Sequence, residues 1–111
     1  MASGTVKAVA SKTEIVNSNT VETVNGVTCY IYENASQVIV CVDGTPTARG
    51  TELTVIDLSS RSDIPNYNIV QPLYNYAWDS KRGQVMLNEG AVKVTFTSTA
   101  YSNGQLIIPK V

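Results

Sequence analysis

The stretch AVKVTFTS, residues 91 to 98, alternates apolar and polar side chains. Val92, Val94 and Phe96 point one way, and Lys93, Thr95 and Thr97 the other. A period of two belongs to a strand with one buried and one wetted face, and it cannot form the apolar stripe of a helix. The same period runs through most of the chain. VTCYIYE puts Val27, Cys29 and Ile31 on one face and Tyr30 and Tyr32 on the other. SQVIVCVD is apolar on both faces and reads as a central strand. TELTVIDL sets Leu53 and Val55 against Thr54 and Ile56, and GQVMLN and GQLIIPK supply late strands. β-Branched residues dominate these runs, as pleated surfaces favour.

Turn signals fall between the runs at short intervals. Asn25-Gly26, Asp43-Gly44 and Asn103-Gly104 are two-residue turn dipeptides. Asn88-Glu89-Gly90 reads as a tight hairpin with the glycine at positive φ, and Arg82-Gly83 leads into it. No window holds a sustained 3.6-residue period with caps. The expected fold is all-β: a small antiparallel β-sandwich or barrel with little or no helix. At 111 residues the chain is one domain. A chain of this size buries about 65% of its unfolded surface, so a single apolar core suffices. Residues 1–12, small and polar, read as a flexible arm or linker, and 13–111 as the domain.

Composition narrows the function. Net charge is -1, from 8 basic and 9 acidic residues, with no basic run. Nucleic acid and anionic membranes therefore have no electrostatic basis as partners. No apolar stretch is long enough for a membrane-spanning helix. Histidine is absent, which removes Ser-His-Asp and Cys-His catalysis and His-ligated metals. Two cysteines without histidine make neither a zinc set nor a catalytic pair. A three-residue loop at Asn34 to Ser36 would set Cys29 opposite Cys41, and a two-residue loop would set it opposite Val40. Buried free thiols and a disulfide are thus both open. The carboxylates are scattered at turns and strand ends, so a glycosidase pair would have to meet through the fold. Phosphate and dinucleotide motifs are absent.

One stretch stands apart. IPNYNIVQPLYNYAW, residues 64 to 78, holds three tyrosines, the single tryptophan, two prolines and several amides. Its prolines argue for an extended path, edge-like near Pro72. Ile69, Val70 and Leu73 read as core, and Tyr74 to Trp78 run into the charged turn DSKRG. One reading makes Tyr74 and Tyr76 the rim of a core and Trp78 its plug. The other makes a saccharide surface. Tyr74, Tyr76 and Trp78 would stack on sugar rings, and Asp79 and Arg82 would bond their hydroxyls.

From Leu58 onward the order of features resembles a known family. A short SSRSDIP segment leads into IVQPLY. GQVMLN, the NEG turn, VKVTFTS and a closing GQLIIPKV follow. This resembles the C-terminal head domains of tail-fibre and baseplate receptor-binding proteins in phages of Gram-positive bacteria, such as the lactococcal siphophages. The likeness covers about half of the chain. It implies a homotrimeric virion protein that attaches to host cell-wall saccharide, without catalysis or cofactor. It also implies maturation in a reducing cytoplasm, which favours free thiols. No heptads or G-x-y repeats of a trimeric shaft occur, so the oligomer stays open. The rivals are a structural tail or baseplate module with a protein–protein interface, a bacterial carbohydrate-binding module carrying the disulfide, and a small glycosidase.

Overall fold

A computed structural model describes residues 13–111. The expected flexible arm, residues 1–12, lies outside the described residues. A short 3-10 turn, Val16–Ser18, precedes eight strands. They are β1 (Asn19–Val24), β2 (Val27–Glu33), β3 (Gln37–Gly44), β4 (Glu52–Asp57), β5 (Ile69–Tyr74), β6 (Lys81–Asn88), β7 (Ala91–Phe96) and β8 (Ser102–Pro109). The order across the sheet is β1-β2-β3-β8-β5-β6-β7-β4, with every ladder antiparallel.

The sheet is nearly closed, and its two halves differ in how they join. Between β8 and β5 the ladder is a single bridge, Tyr74 to Asn103. At the far side the edge strands β1 and β4 pack together without a ladder. Two four-stranded sheets thus meet at one bridged corner and one open corner, so the fold has features of both a sandwich and a barrel. Curling brings the inner faces together. Val27, Cys29 and Ile31 of β2 and Val38, Val40 and Val42 of β3 are at most 1% exposed. They meet Leu73, Val85, Leu87, Val92, Val94 and Phe96 of the other half, all fully buried. At about 25 cal/mol per Å² of apolar surface, this shared core is the main stabilising term.

The alternation set these faces as the sequence implied, with four instructive exceptions. In β4, Val55 and Ile56 are both buried because the ladder slips between Thr54 and Ile56, and a bulge turns successive side chains inward. Val70 of β5 is not core: its parity points it outward, and it is 52% exposed. Asn103-Gly104 is not a turn but lies within β8. A Cβ on Gly104 would sit 2.7 Å from Leu73 Cδ2 and 2.9 Å from the Pro72 carbonyl. This glycine serves close approach of β8 and β5 at the bridged corner. Arg82-Gly83 likewise lies inside β6, at the register shift opposite Leu73 and Tyr74.

Asp43-Gly44 is not a two-residue turn either, since both residues are paired within β3, against Asn103 and Ser102 of β8, whereas the true hairpin turns behave as their chemistry requires. Asn25 and Gly26 both take positive φ, as do Glu89 and Gly90. That pattern matches the right-handed twist of the flanking strands.

Cys29 faces Val42, and Cys41 faces Tyr30. The pairing of Glu33 with Val38 leaves four residues in the loop, one more than the first register considered above and two more than the second. A shift of one residue turns a side chain to the other face. Cys29 is buried inside and Cys41 lies half-buried outside, both as free thiols. A disulfide between them is excluded by direction.

Antiparallel strands make two loop clusters. One end carries residues 25–26, 45–51, 75–80 and 97–101. The other carries 34–36, 58–68 and 89–90, together with Thr13 and Val111.

Candidate functional site

The aromatic residues singled out in the sequence gather at the end away from Thr13 and Val111. β5 ends at Tyr74, and residues 75–80 form a compact loop built around Asn75. Asn75 Oδ1 accepts from the backbone N–H groups of Asp79 and Ser80, both at 3.1 Å. Asn75 Nδ2 donates to Asp79 Oδ1 at 2.8 Å. The backbone closes too: Trp78 N donates to the Asn75 carbonyl, and Asn75 N to that of Ser80. From β8, Asn103 Nδ2 donates to the Tyr74 carbonyl at 3.0 Å and the Asn75 carbonyl at 3.3 Å. The bridged corner therefore anchors the loop.

This loop holds its aromatics outward. Tyr76 is 76% exposed and Trp78 59%. Trp78 does not plug the core. Its φ is 60°, a left-handed conformation that costs a bulky residue on the order of 1 kcal/mol. Its ring leans on Tyr74, with centroids 5.6 Å apart and planes tilted by 50°. Tyr76 stacks on Tyr101, with centroids 3.9 Å apart and planes 7° from parallel.

Of the five candidates, Tyr74 and Trp78 come together, and Tyr76 on the same loop stacks instead on Tyr101. Asp79 and Arg82 are tied into the scaffold. The Asp79 carboxylate closes the loop through Asn75, and Arg82 Nη1 donates to the Tyr101 carbonyl at 3.1 Å. Arg82 thereby braces the segment that presents Tyr101 to Tyr76.

Sequence reasoning missed Tyr101, Asp43, Asn103 and Gln105. A cleft of about 270 Å³ runs beside Trp78, lined also by Cys41, Val42, Asp43, Asn103, Gly104 and Gln105. Asp43 on β3 pairs with Asn103 on β8, and Cys41 with Gln105. Cys41 Sγ approaches Gln105 Oε1 at 3.7 Å, a weak sulfur hydrogen bond. A hydrogen bond to the Asp43 carboxylate, helped by burial, pushes the Tyr101 phenol up to about 12. Burial, then the Asp43 charge, pushes the Cys41 thiol upward. Tyr101 sits in the turn-rich stretch STAYSNGQ, where an aromatic was the only available signal.

The opposite end holds an ion-pair cluster. Arg61 bonds both Glu33 and Asp63, and Lys110 Nζ lies 2.7 Å from Glu33 and 3.8 Å from Asp63. Two carboxylates thus meet through the fold. Hydrogen bonds from Arg61 hold both below their ordinary range, and Lys110 adds to the effect. Neither can keep a proton near neutral pH, so this pair lacks the general acid that glycoside hydrolysis requires. A broader pocket of about 430 Å³ adjoins it, lined by Leu58, Ile64, Pro65 and polar neighbours.

No family model, no curated protein and no solved structure matches the chain.

Proposed function

We propose that the protein is a non-catalytic receptor-binding head of a phage tail or baseplate, attaching the virion to a saccharide of the host cell surface. The observation that carries this reading is the display of Tyr76 and Trp78. They are the most exposed aromatic rings among the described residues, held on a loop closed by Asn75. Burial does not account for either ring, and Trp78 keeps a strained backbone while facing solvent. Outlying backbone of this kind concentrates at binding sites. Beside the rings, the Gln105 amide offers donors, and the Asn103 amide oxygen and the Asp43 carboxylate offer acceptors, for sugar hydroxyls. A glycan array and purified host cell walls test the reading. Loss of binding in a Tyr76→Ala variant that stays folded, with stability lowered by no more than about 1 kcal/mol for the lost stack, supports it, and absence of any glycan binding removes it.

A structural tail or baseplate module is the second reading. It draws on the outer face of β1, β2, β3 and β8, where Val21, Tyr30, Tyr32 and Ile107 are each about 40–56% exposed. Aromatic residues in such a patch suit a protein partner, including the two neighbours of a homotrimer. Self-association in sedimentation velocity without glycan binding would favour it. A secreted carbohydrate-binding module stapled by Cys29 and Cys41 is the weaker alternative, because those side chains face opposite ways.

A further inference from the structure

The cleft beside Trp78 carries one charge. Asp43 lines it, and no lysine or arginine does. Among the described residues Asp43 has no ion-pair partner, and its hydrogen bond with the Tyr101 hydroxyl leaves its charge in place. Of the basic side chains nearby, Arg82 is committed to the Tyr101 carbonyl, and Lys81, paired with Tyr74, does not line the cleft. The remaining polar walls, Asn103 and Gln105, are neutral. Trp78 lines the same cleft, and its ring lies 5.6 Å from that of Tyr74. A negative carboxylate and an electron-rich aromatic side chain therefore share one cleft of about 270 Å³, the size of a single sugar unit or its substituent.

That combination discriminates by charge. A cation gains both from the carboxylate and from the ring quadrupole. A neutral hydroxyl or acetamide gains hydrogen bonds alone. A uronate or phosphate meets repulsion from Asp43 and finds no free cation in the walls. We propose that this cleft selects saccharide units bearing a protonated amine over their acetylated or anionic counterparts. The proposal rests on the saccharide-binding reading and narrows its ligand class.

Trp78 is the only tryptophan of the chain, so its emission reports the cleft directly. The test titrates tetramers of glucosamine and of N-acetylglucosamine at mildly acidic pH, where the amines are charged. The amine tetramer is expected to bind roughly tenfold more tightly. Asp43→Asn should erase that preference. Glu89→Gln, at the opposite end of the barrel, should keep it. Added salt should shrink it in the unaltered protein, since an exposed charge pair is screened; this arm does not depend on any variant folding. Equal or tighter binding of the acetylated tetramer overturns the proposal. So does a preference that survives Asp43→Asn, or one that Glu89→Gln removes as well. If the acetylated tetramer binds and the amine adds nothing, the charge selectivity alone falls. If neither tetramer shifts Trp78, the amine selectivity falls, and failure of host cell walls to bind as well removes the saccharide reading with it.

Discussion

Tyr76 and Tyr101, 25 positions apart in the chain, stack with centroids 3.9 Å apart and planes 7° from parallel. The contact joins two loops, 75–80 and 97–101, into one platform. Arg82 supports the second loop through the Tyr101 carbonyl, and Asp43 holds the Tyr101 hydroxyl.

Asp43 gives this platform a spectroscopic signature. Its hydrogen bond favours the neutral phenol, so Tyr101 should ionise late, near 12, against an ordinary tyrosine value of about 10. The folded value is the raised one. The stabilisation is therefore complete below the unfolded value and is lost as pH rises through the folded one. Ultraviolet titration of the phenols should show one late step that moves down in Asp43→Asn. An unchanged late step would break the assigned Tyr101–Asp43 contact.

Trp78 should be replaceable without loss of fold. Trp78→Gly removes an exposed ring and relieves a left-handed backbone at 60°, so stability should stay within about 1 kcal/mol or rise. Binding to cell walls should nevertheless be lost. Asn75→Ala should weaken binding as well, without touching ligand, by releasing the N–H groups of Asp79 and Ser80. Chemical denaturation beside a cell-wall pull-down separates these outcomes. A large stability loss in Trp78→Gly would return Trp78 to a structural role.

Gly104→Ala tests the bridged corner. Its Cβ would meet Leu73 Cδ2 at 2.7 Å and the Pro72 carbonyl at 2.9 Å. The crowding should cost about 1–3 kcal/mol and lower Tm by roughly 5–15 °C. A neutral result in thermal unfolding would mean that β5 and β8 are not so close.

The ion-pair cluster should set the acid limb of stability. Glu33 and Asp63 have folded pKa values lowered by Arg61 and Lys110. Their contribution is then present above the unfolded values of about 4 and is lost as pH falls through the lower folded ones. Arg61→Met should flatten that limb and destabilise the protein near neutral pH. Unfolding midpoints measured across acid pH check this, and an acid limb unchanged in Arg61→Met would contradict it.

The thiols should react in order. Cys41 is half-buried on the outer face, whereas Cys29 is fully buried and pushed up to about 12 by desolvation and then by Glu22. Alkylation of the native protein followed by mass spectrometry should mark Cys41 alone, with Cys29 reacting only after unfolding. Equal labelling of both would contradict the register of β2 and β3.

The fold was readable wherever one rule acted alone. Alternation placed Val92, Val94 and Phe96 inside and Tyr30 and Tyr32 outside, because burial of one face enforces the period. It failed at Val55 and Ile56, where a bulge breaks parity, and at Cys29 and Cys41, where loop length decides the register. Asn103-Gly104 was misread because glycine serves two purposes, positive φ and close approach, and local sequence does not tell them apart. The aromatic run was visible, yet its partners Tyr101, Asp43 and Asn103 were not. They arrive through pairings of β3, β8 and β5 that no local pattern encodes.

The saccharide-binding claim is tested most directly by Trp78 emission during titration with polysaccharide released from host cell walls. The expected result is a saturable shift in the unaltered protein, strongly weakened in Tyr76→Ala while that variant stays folded, destabilised by no more than the roughly 1 kcal/mol of the lost stack. Emission that stays flat throughout, or binding that Tyr76→Ala leaves at full strength, would contradict it.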